Sequence, residues 1–198
     1  MTLFAILPVK PLAAGKSRLA EILSDAERAA LNRRLATHAI GVAAAALGGG
    51  RTMVISRDAE ALDIARRSGA IALHERDDAG LNAALDRARE AAVRRGADQV
   101  LVLPVDLPLL EPADIATMIA AAGESPAVAI APDHDEDGTN ALLLAPPAVL
   151  PFAFGPGSFA THFEAARRAG IEPAVVRRKS LALDVDTPED YALLQQAG

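Results

Sequence analysis

Three aspartates occupy positions where a divalent cation could be held. Asp106 ends the run Leu103-Pro104-Val105-Asp106-Leu107-Pro108-Leu109-Leu110, a carboxylate inside an otherwise apolar stretch. A carboxylate left near the interior without a partner is costly, so it must meet a cation, a backbone amide or an ordered water. Helix capping is the ordinary use of such a residue, but the next helix signal, Glu111-Pro112, comes too late for Asp106 to serve it. Mg²⁺ bound with phosphate substrates takes one or two protein carboxylates, which favours a metal ligand. The second set is Asp184-Val185-Asp186, where a period of two puts both side chains on one face of an extended segment. Thr187-Pro188-Glu189-Asp190 already supplies the start of the last helix, so Asp186 is not needed to cap it. Two separated carboxylate sites are what a bridged metal centre requires.

Cations gather in the first loop, at Lys10, Lys16 and Arg18, together with Gly15 and Ser17. Gly15-Lys16-Ser17 invites a Walker A reading, but that motif needs a glycine five positions before Gly15, and Lys10 stands there. What remains is a basic loop whose charges and N–H groups could hold a triphosphate, or could simply balance an acidic protein. Gly155-Pro156-Gly157-Ser158 precedes a helix and offers an anion pocket of N–H groups with the Ser158 hydroxyl, or an ordinary turn with Ser158 as N-cap, and both can hold at once. Asp133-His134-Asp135-Glu136-Asp137-Gly138 imitates the opening of an EF-hand loop. Its twelfth position is Leu144 rather than a bidentate Glu, so the stretch reads as a solvated acidic turn, with Thr139 and Asn140 after it placed to reach into a site. His38, His74, His134 and His162 show no ligand spacing and receive no chemical role.

The elements that must position these groups alternate between short β-rich runs and longer helical periods, the pattern of an α/β domain with a mostly parallel sheet. Strands are predicted at Leu3 to Leu7, Thr52 to Ser56, Ala70 to His74, Gln99 to Leu103, Ala127 to Ala131, Asn140 to Leu144 and Leu181 to Leu183. The continuous apolar run of Gln99 to Leu103 suits burial on both faces and predicts the central strand. Helices are predicted from the capping box Ser24-Asp25-Ala26-Glu27 to the triple glycine at Gly48, from an Asp58 cap to Gly69, and from Leu81 to Arg95. Further helices start at Glu111-Pro112, run through Arg168, and start at Pro188. In an open α/β sheet, ligands gather beyond the carboxyl ends of the strands, where the candidate residues fall.

Composition narrows the function. The 198 residues are 51% hydrophobic, enough for one compact domain spanning the chain. No cysteine is present, which excludes thiolate chemistry and suits a reducing compartment, so the cytoplasm is expected. The start has no basic leader, and the alanine-rich segment Val42 to Leu47 ends in glycines before it could cross a bilayer. A net charge of −6 and only 3% aromatics argue against nucleic acid as partner.

Pro8-Val9-Lys10, Gly15 to Leu19, Gly80 to Leu85, Pro104 to Pro108 and Gly155 to Phe159 together resemble one family over nearly the whole chain. It is the CofC/FbiD family of phospholactate or phosphoenolpyruvate guanylyltransferases, which act in biosynthesis of coenzyme F-420. The resemblance implies a nucleotide-diphospho-sugar transferase fold: a mixed, mostly parallel sheet with helices on both faces, Rossmann-like. It implies GTP as co-substrate, Mg²⁺ on Asp106, Asp184 and Asp186, and the phosphorylated acid on Thr139, Gly155 and Ser158. Lys16 and Arg18 would meet the GTP phosphates, and Gly80, Leu81 and Asn82 would lie near the nucleoside. Lys10, Gly15 and Ser17 complete the nucleotide loop, and a homodimer is left open. Alternatives are a molybdenum-cofactor or sugar-phosphate nucleotidyltransferase of the same fold, whose Leu-x-Gly-Gly opening is missing here, and a non-catalytic GTP-binding module.

Overall fold

The computed structural model describes residues 1–75 and 80–197. Its centre is one seven-stranded sheet: β1 (Leu3–Val9), β2 (Thr52–Ser56), β3 (Ile71–His74), β4 (Gln99–Val102), β5 (Ala127–Pro132), β6 (Thr139–Ala145) and β7 (Ala174–Val175). The order across the sheet is β3-β2-β1-β4-β6-β5-β7, so β4 is the middle strand as its apolar run predicts. All pairings are parallel except those of β6, which runs antiparallel to both β4 and β5.

Alternation along the strands builds a core on each side. Leu3, Ala5, Leu7 and Val9 of β1, with Leu101 of β4, pack on one face against α1 (Asp25–Leu47), α2 (Ala59–Arg67) and α4 (Pro112–Ala122). Phe4 and Ile6, with Val100 and Val102, pack on the other against α3 (Leu81–Val93) and α5 (Ser158–Arg168). The helix starts follow local chemistry. The Ser24 hydroxyl and the Glu27 carboxylate form both halves of a capping box. Asp58 Oδ1 accepts from the N–H groups of Glu60 and Ala61. Pro112 opens α4.

Two expectations are corrected. Leu181-Ala182-Leu183 is not a strand: residues Lys179–Ala182 form a short helix, α6. It is held by contacts that no periodicity reports, since the buried Asp114 carboxylate accepts from Arg178 Nε and from Ser180 Oγ (2.5 Å). Ser158 is the first residue of α5 rather than its cap, which is Gly157 in a left-handed conformation at φ 68°. The last helix, α7 (Pro188–Ala197), starts as expected, with Thr187 and Asp190 bonded to each other's ends.

Candidate active site

The strand order reverses between β1 and β4, and a cavity of about 290 Å³ opens beyond their carboxyl ends. The β1 loop supplies Lys10, Gly15, Lys16 and Ser17, the β4 end supplies Asp106, and Leu81 and Asp186 close the rim. The β1 loop is pinned from two sides. Asp58 Oδ2 accepts from Leu12 N–H at 2.7 Å, and Asn32 Nδ2 donates to Leu12 O at 2.8 Å. Gly15 lies so close to Asn32 that an added Cβ would stand 2.8 Å from Nδ2, so the residue type is set by space. Asp58 and Asn32 are supports of this loop that sequence reasoning missed. The Asp58 cap was visible, but its second bond, 46 residues away, was not.

Asp106, Asp184 and Asp186 each bring a carboxylate oxygen to within 4.8 Å of the others. Val185 is buried beneath, and its N–H donates to Asp106 O at 3.1 Å, which fixes the 184–186 segment against the β4 end. Asn140 holds Asp184: its Nδ2 donates to Asp184 Oδ1 at 3.0 Å and to the carbonyls of Leu181 and Ala182. Asp106 Oδ1 is buried and has no hydrogen-bond partner among the described residues. Burial, then the charge of Asp186, pushes the Asp106 carboxyl above the usual range, against Lys16 and Lys10, which pull it down. Burial also pushes Asp184 up to about 6, opposed by the Asn140 hydrogen bond and aided by the two neighbouring carboxylates. Asp186 is half exposed and pairs with Lys16 Nζ at 3.3 Å, while the same nitrogen donates to Val185 O. Lys16 makes these bonds from a left-handed backbone at φ 60°, an uncommon conformation for a residue with a Cβ.

These donors suit a hard divalent cation: oxygens alone, three carboxylates, and one buried oxygen that the chain leaves unmatched.

The other site candidates form a second cluster. Thr139 begins β6, and because β6 is antiparallel its start lies beside the end of β4. Thr139 Oγ1 is 3.0 Å from His162 Nδ1, and His162 Nε2 accepts from Ala153 N–H at 3.0 Å. Asn82 brackets Phe154, accepting from its N–H at 2.8 Å and donating to its carbonyl at 3.1 Å. The N–H groups of Gly157 and Phe159 go to Asp137, and that of Ser158 goes to Gly155 O. The anion pocket expected from these backbone donors is therefore engaged within the chain. Gly80 caps α3 at φ 87°. Of the nucleotide candidates, Arg18 lies exposed in a 3₁₀ turn, and neither it nor Gly80 or Asn82 lines the cavity. His162 receives no chemical role from the sequence, and the structure buries it against Thr139, a partner 23 residues away that carries no local signal.

No helix among the described residues is long and apolar enough to cross a membrane.

The family described as guanylyl transferase, CofC like, matches residues 3–196. The chain is 46% identical to a phosphoenolpyruvate guanylyltransferase of Rubrobacter xylanophilus, over 100% of this chain and 96% of that one. It is 35% identical to a 2-phospho-L-lactate guanylyltransferase of Methanothermobacter thermautotrophicus, over 94% and 81%. Among solved structures it resembles a nucleotide-diphospho-sugar transferase candidate of Desulfovibrio desulfuricans G20, with a TM-score of 0.76 and 18% identity over 99% of this chain and 87% of that one, a likeness of fold. The chain belongs to the CofC-like guanylyl transferase family.

Proposed function

We propose that this chain transfers GMP from GTP to the phosphate of a small phosphorylated carboxylic acid, in the biosynthesis of coenzyme F-420, with phosphoenolpyruvate as the favoured acceptor. The observation that carries the reading is the convergence of Asp106, Asp184 and Asp186 beside a cavity that the Lys10 to Ser17 loop also lines. The names of the relatives in Rubrobacter and Methanothermobacter supply the acceptor class.

In this reading a phosphate oxygen of the acid attacks the α-phosphorus of GTP in line. A phosphoanhydride bond forms, and the bond from the α-phosphorus to the bridging oxygen breaks to release pyrophosphate. The acceptor phosphate is already anionic and needs no base, so catalysis is positioning and charge neutralisation. Mg²⁺ held by Asp106, Asp184 and Asp186 would supply neutralisation of the charge on the triphosphate and the departing pyrophosphate. Lys10 and Lys16 bind phosphate oxygens, Lys16 exchanging its contact with Asp186 for the nucleotide. Gly15 and Ser17 shape the loop around the triphosphate, and Leu81 lies along the nucleoside. Thr139, Gly155 and Ser158 receive the acid, with the two hydroxyls as donors because the N–H groups of residues 157 to 159 are engaged within the chain.

The test is pyrophosphate release from GTP and Mg²⁺ with phosphoenolpyruvate, 2-phospholactate and 3-phosphoglycerate in turn, with ATP and CTP as controls and chelator as blank. Release with GTP and phosphoenolpyruvate is expected. Silence with all three acids sinks the reading, and release without added divalent cation sinks the metal assignment.

A further inference from the structure

The inference drawn here depends on the placement of the acceptor acid beside Thr139. The hydrogen bonds around His162 decide which way that hydroxyl can act. His162 is fully buried, and its Nε2 accepts from the Ala153 backbone N–H. A backbone N–H can only donate, so Nε2 carries the lone pair, and in a neutral imidazole the proton must lie on Nδ1. The ring is neutral because burial pushes its pKa down to about 4. Its orientation is fixed as well. Phe154 meets it edge-on, with centroids 5.0 Å apart, and Asn82 clamps the Phe154 backbone from both sides. Nδ1–H therefore donates to Thr139 Oγ1 at 3.0 Å.

That direction sets Thr139 apart. The hydroxyls of Thr37, Thr52, Thr117, Thr161 and Thr187 each donate to an oxygen of their own chain. Thr139 instead accepts, and among the described residues no acceptor takes its own hydrogen. We propose that His162 is a positioning residue that fixes the Thr139 hydroxyl as a hydrogen-bond donor, so that the acceptor subsite selects an oxyanion, a phosphate or carboxylate oxygen of the acid.

An amide can replace either ring nitrogen, and this separates the role from mere packing. In His162→Asn the side-chain amide falls near the Nδ1 position and can still donate to Thr139. In His162→Gln it falls near Nε2, and the donor is lost. The expected result is a phosphoenolpyruvate KM raised about tenfold in His162→Gln, the worth of one hydrogen bond to an anion, and nearly restored in His162→Asn. The KM for GTP should stay within about twofold in both. Thr139→Val should raise the phosphoenolpyruvate KM by a similar factor, and Thr139→Ser should restore it. If Thr139→Val leaves that KM unchanged, the acid is not beside Thr139 and the underlying placement fails. If Thr139→Val raises it while His162→Gln and His162→Asn behave alike, the placement stands and the role of His162 is overturned. Nitrogen-15 NMR of the wild-type protein decides the matter by a readout that does not depend on kinetics. The His162 imidazole, assigned by its loss in His162→Asn, must show a protonated Nδ1 and a lone pair on Nε2, and the reverse tautomer overturns the proposal.

Discussion

Two polar centres, one buried around His162 and one partly exposed around Asp106, flank the start of β6, and they are built on opposite terms. Around His162 the chain supplies a partner to each ring nitrogen, to both backbone groups of Phe154, and to the first N–H groups of α5. Around Asp106 it supplies three like charges, a buried oxygen with no partner, and a lysine in a left-handed backbone. A polar group whose bonds are made inside the chain is a pin, worth stability and order. One that lacks them costs stability until a ligand arrives, and such places are where function is expected.

The comparison can be broken most sharply at Asp106. Asp106→Asn should reduce pyrophosphate release by about a thousandfold, the size expected when a group acting on transition-state charge is lost. The same change should raise the melting temperature of the metal-free protein, because it removes an unmatched buried charge. Wild-type turnover, or a lowered melting temperature with the fold retained, would contradict the assignment.

The two centres should also respond to acid with opposite signs. His162 has a folded pKa of about 4, below the 6.5 of a free histidine. The unfolded chain takes up a proton first, so stability falls as pH drops from 6.5 to 4, by up to about 3 kcal/mol. Asp184 has a folded pKa of about 6, above the usual 3.8, so here the folded metal-free state takes up a proton first. Its contribution rises as pH falls from 6 to 3.8, with a comparable upper size. Urea unfolding across this range should show the wild type losing less stability than Asp184→Asn, in which the opposing contribution is gone. Bound cation and proton compete for the same carboxylate, so Mn²⁺ affinity measured by paramagnetic resonance should weaken below pH 6.

Smaller effects sharpen the contrast. Asn82→Ala removes both clamps on Phe154 and should destabilise by about 2 kcal/mol in urea unfolding, while metal affinity is unchanged. Gly15→Ala puts a Cβ 2.8 Å from Asn32 Nδ2 and forces that amide to move. It should raise the KM for GTP severalfold with a stability change of about 1 kcal/mol or less, read by steady-state kinetics and a thermal melt.

Much of this was legible in the sequence wherever the cause is local. Ser24 with Glu27, Asp58, and Pro112 announce helices because each bonds or fits within one turn, and the apolar run into β4 marks the middle of the sheet. The carboxylates stood out because a charge in an apolar run needs an explanation. What was not legible is decided at a distance. Three alternating residues at 181–183 fit a strand, and it is distant groups, Asp114 and Glu111 more than sixty positions away and Asn140, that hold the segment as a helix. The pairing of His162 with Thr139 and the second bond of Asp58 are likewise products of the fold. β7, at two residues, is too short to carry a pattern.

Thr139 and Asn140 are consecutive on β6, so their side chains leave opposite faces of the strand, one toward His162 and the other toward Asp184. Which of them faces which is set by the register with β5, and that register shifts at the irregularity between Ala131 and Pro132, just before the acidic turn at 133–138. A slip of one residue would exchange hydroxyl and amide, setting the hydroxyl against the carboxylate cluster and leaving Asp184 without its amide partner. The turn looks like a surface loop free to vary in sequence, yet its length is under tight constraint: it can exchange residues, but it should not gain or lose one.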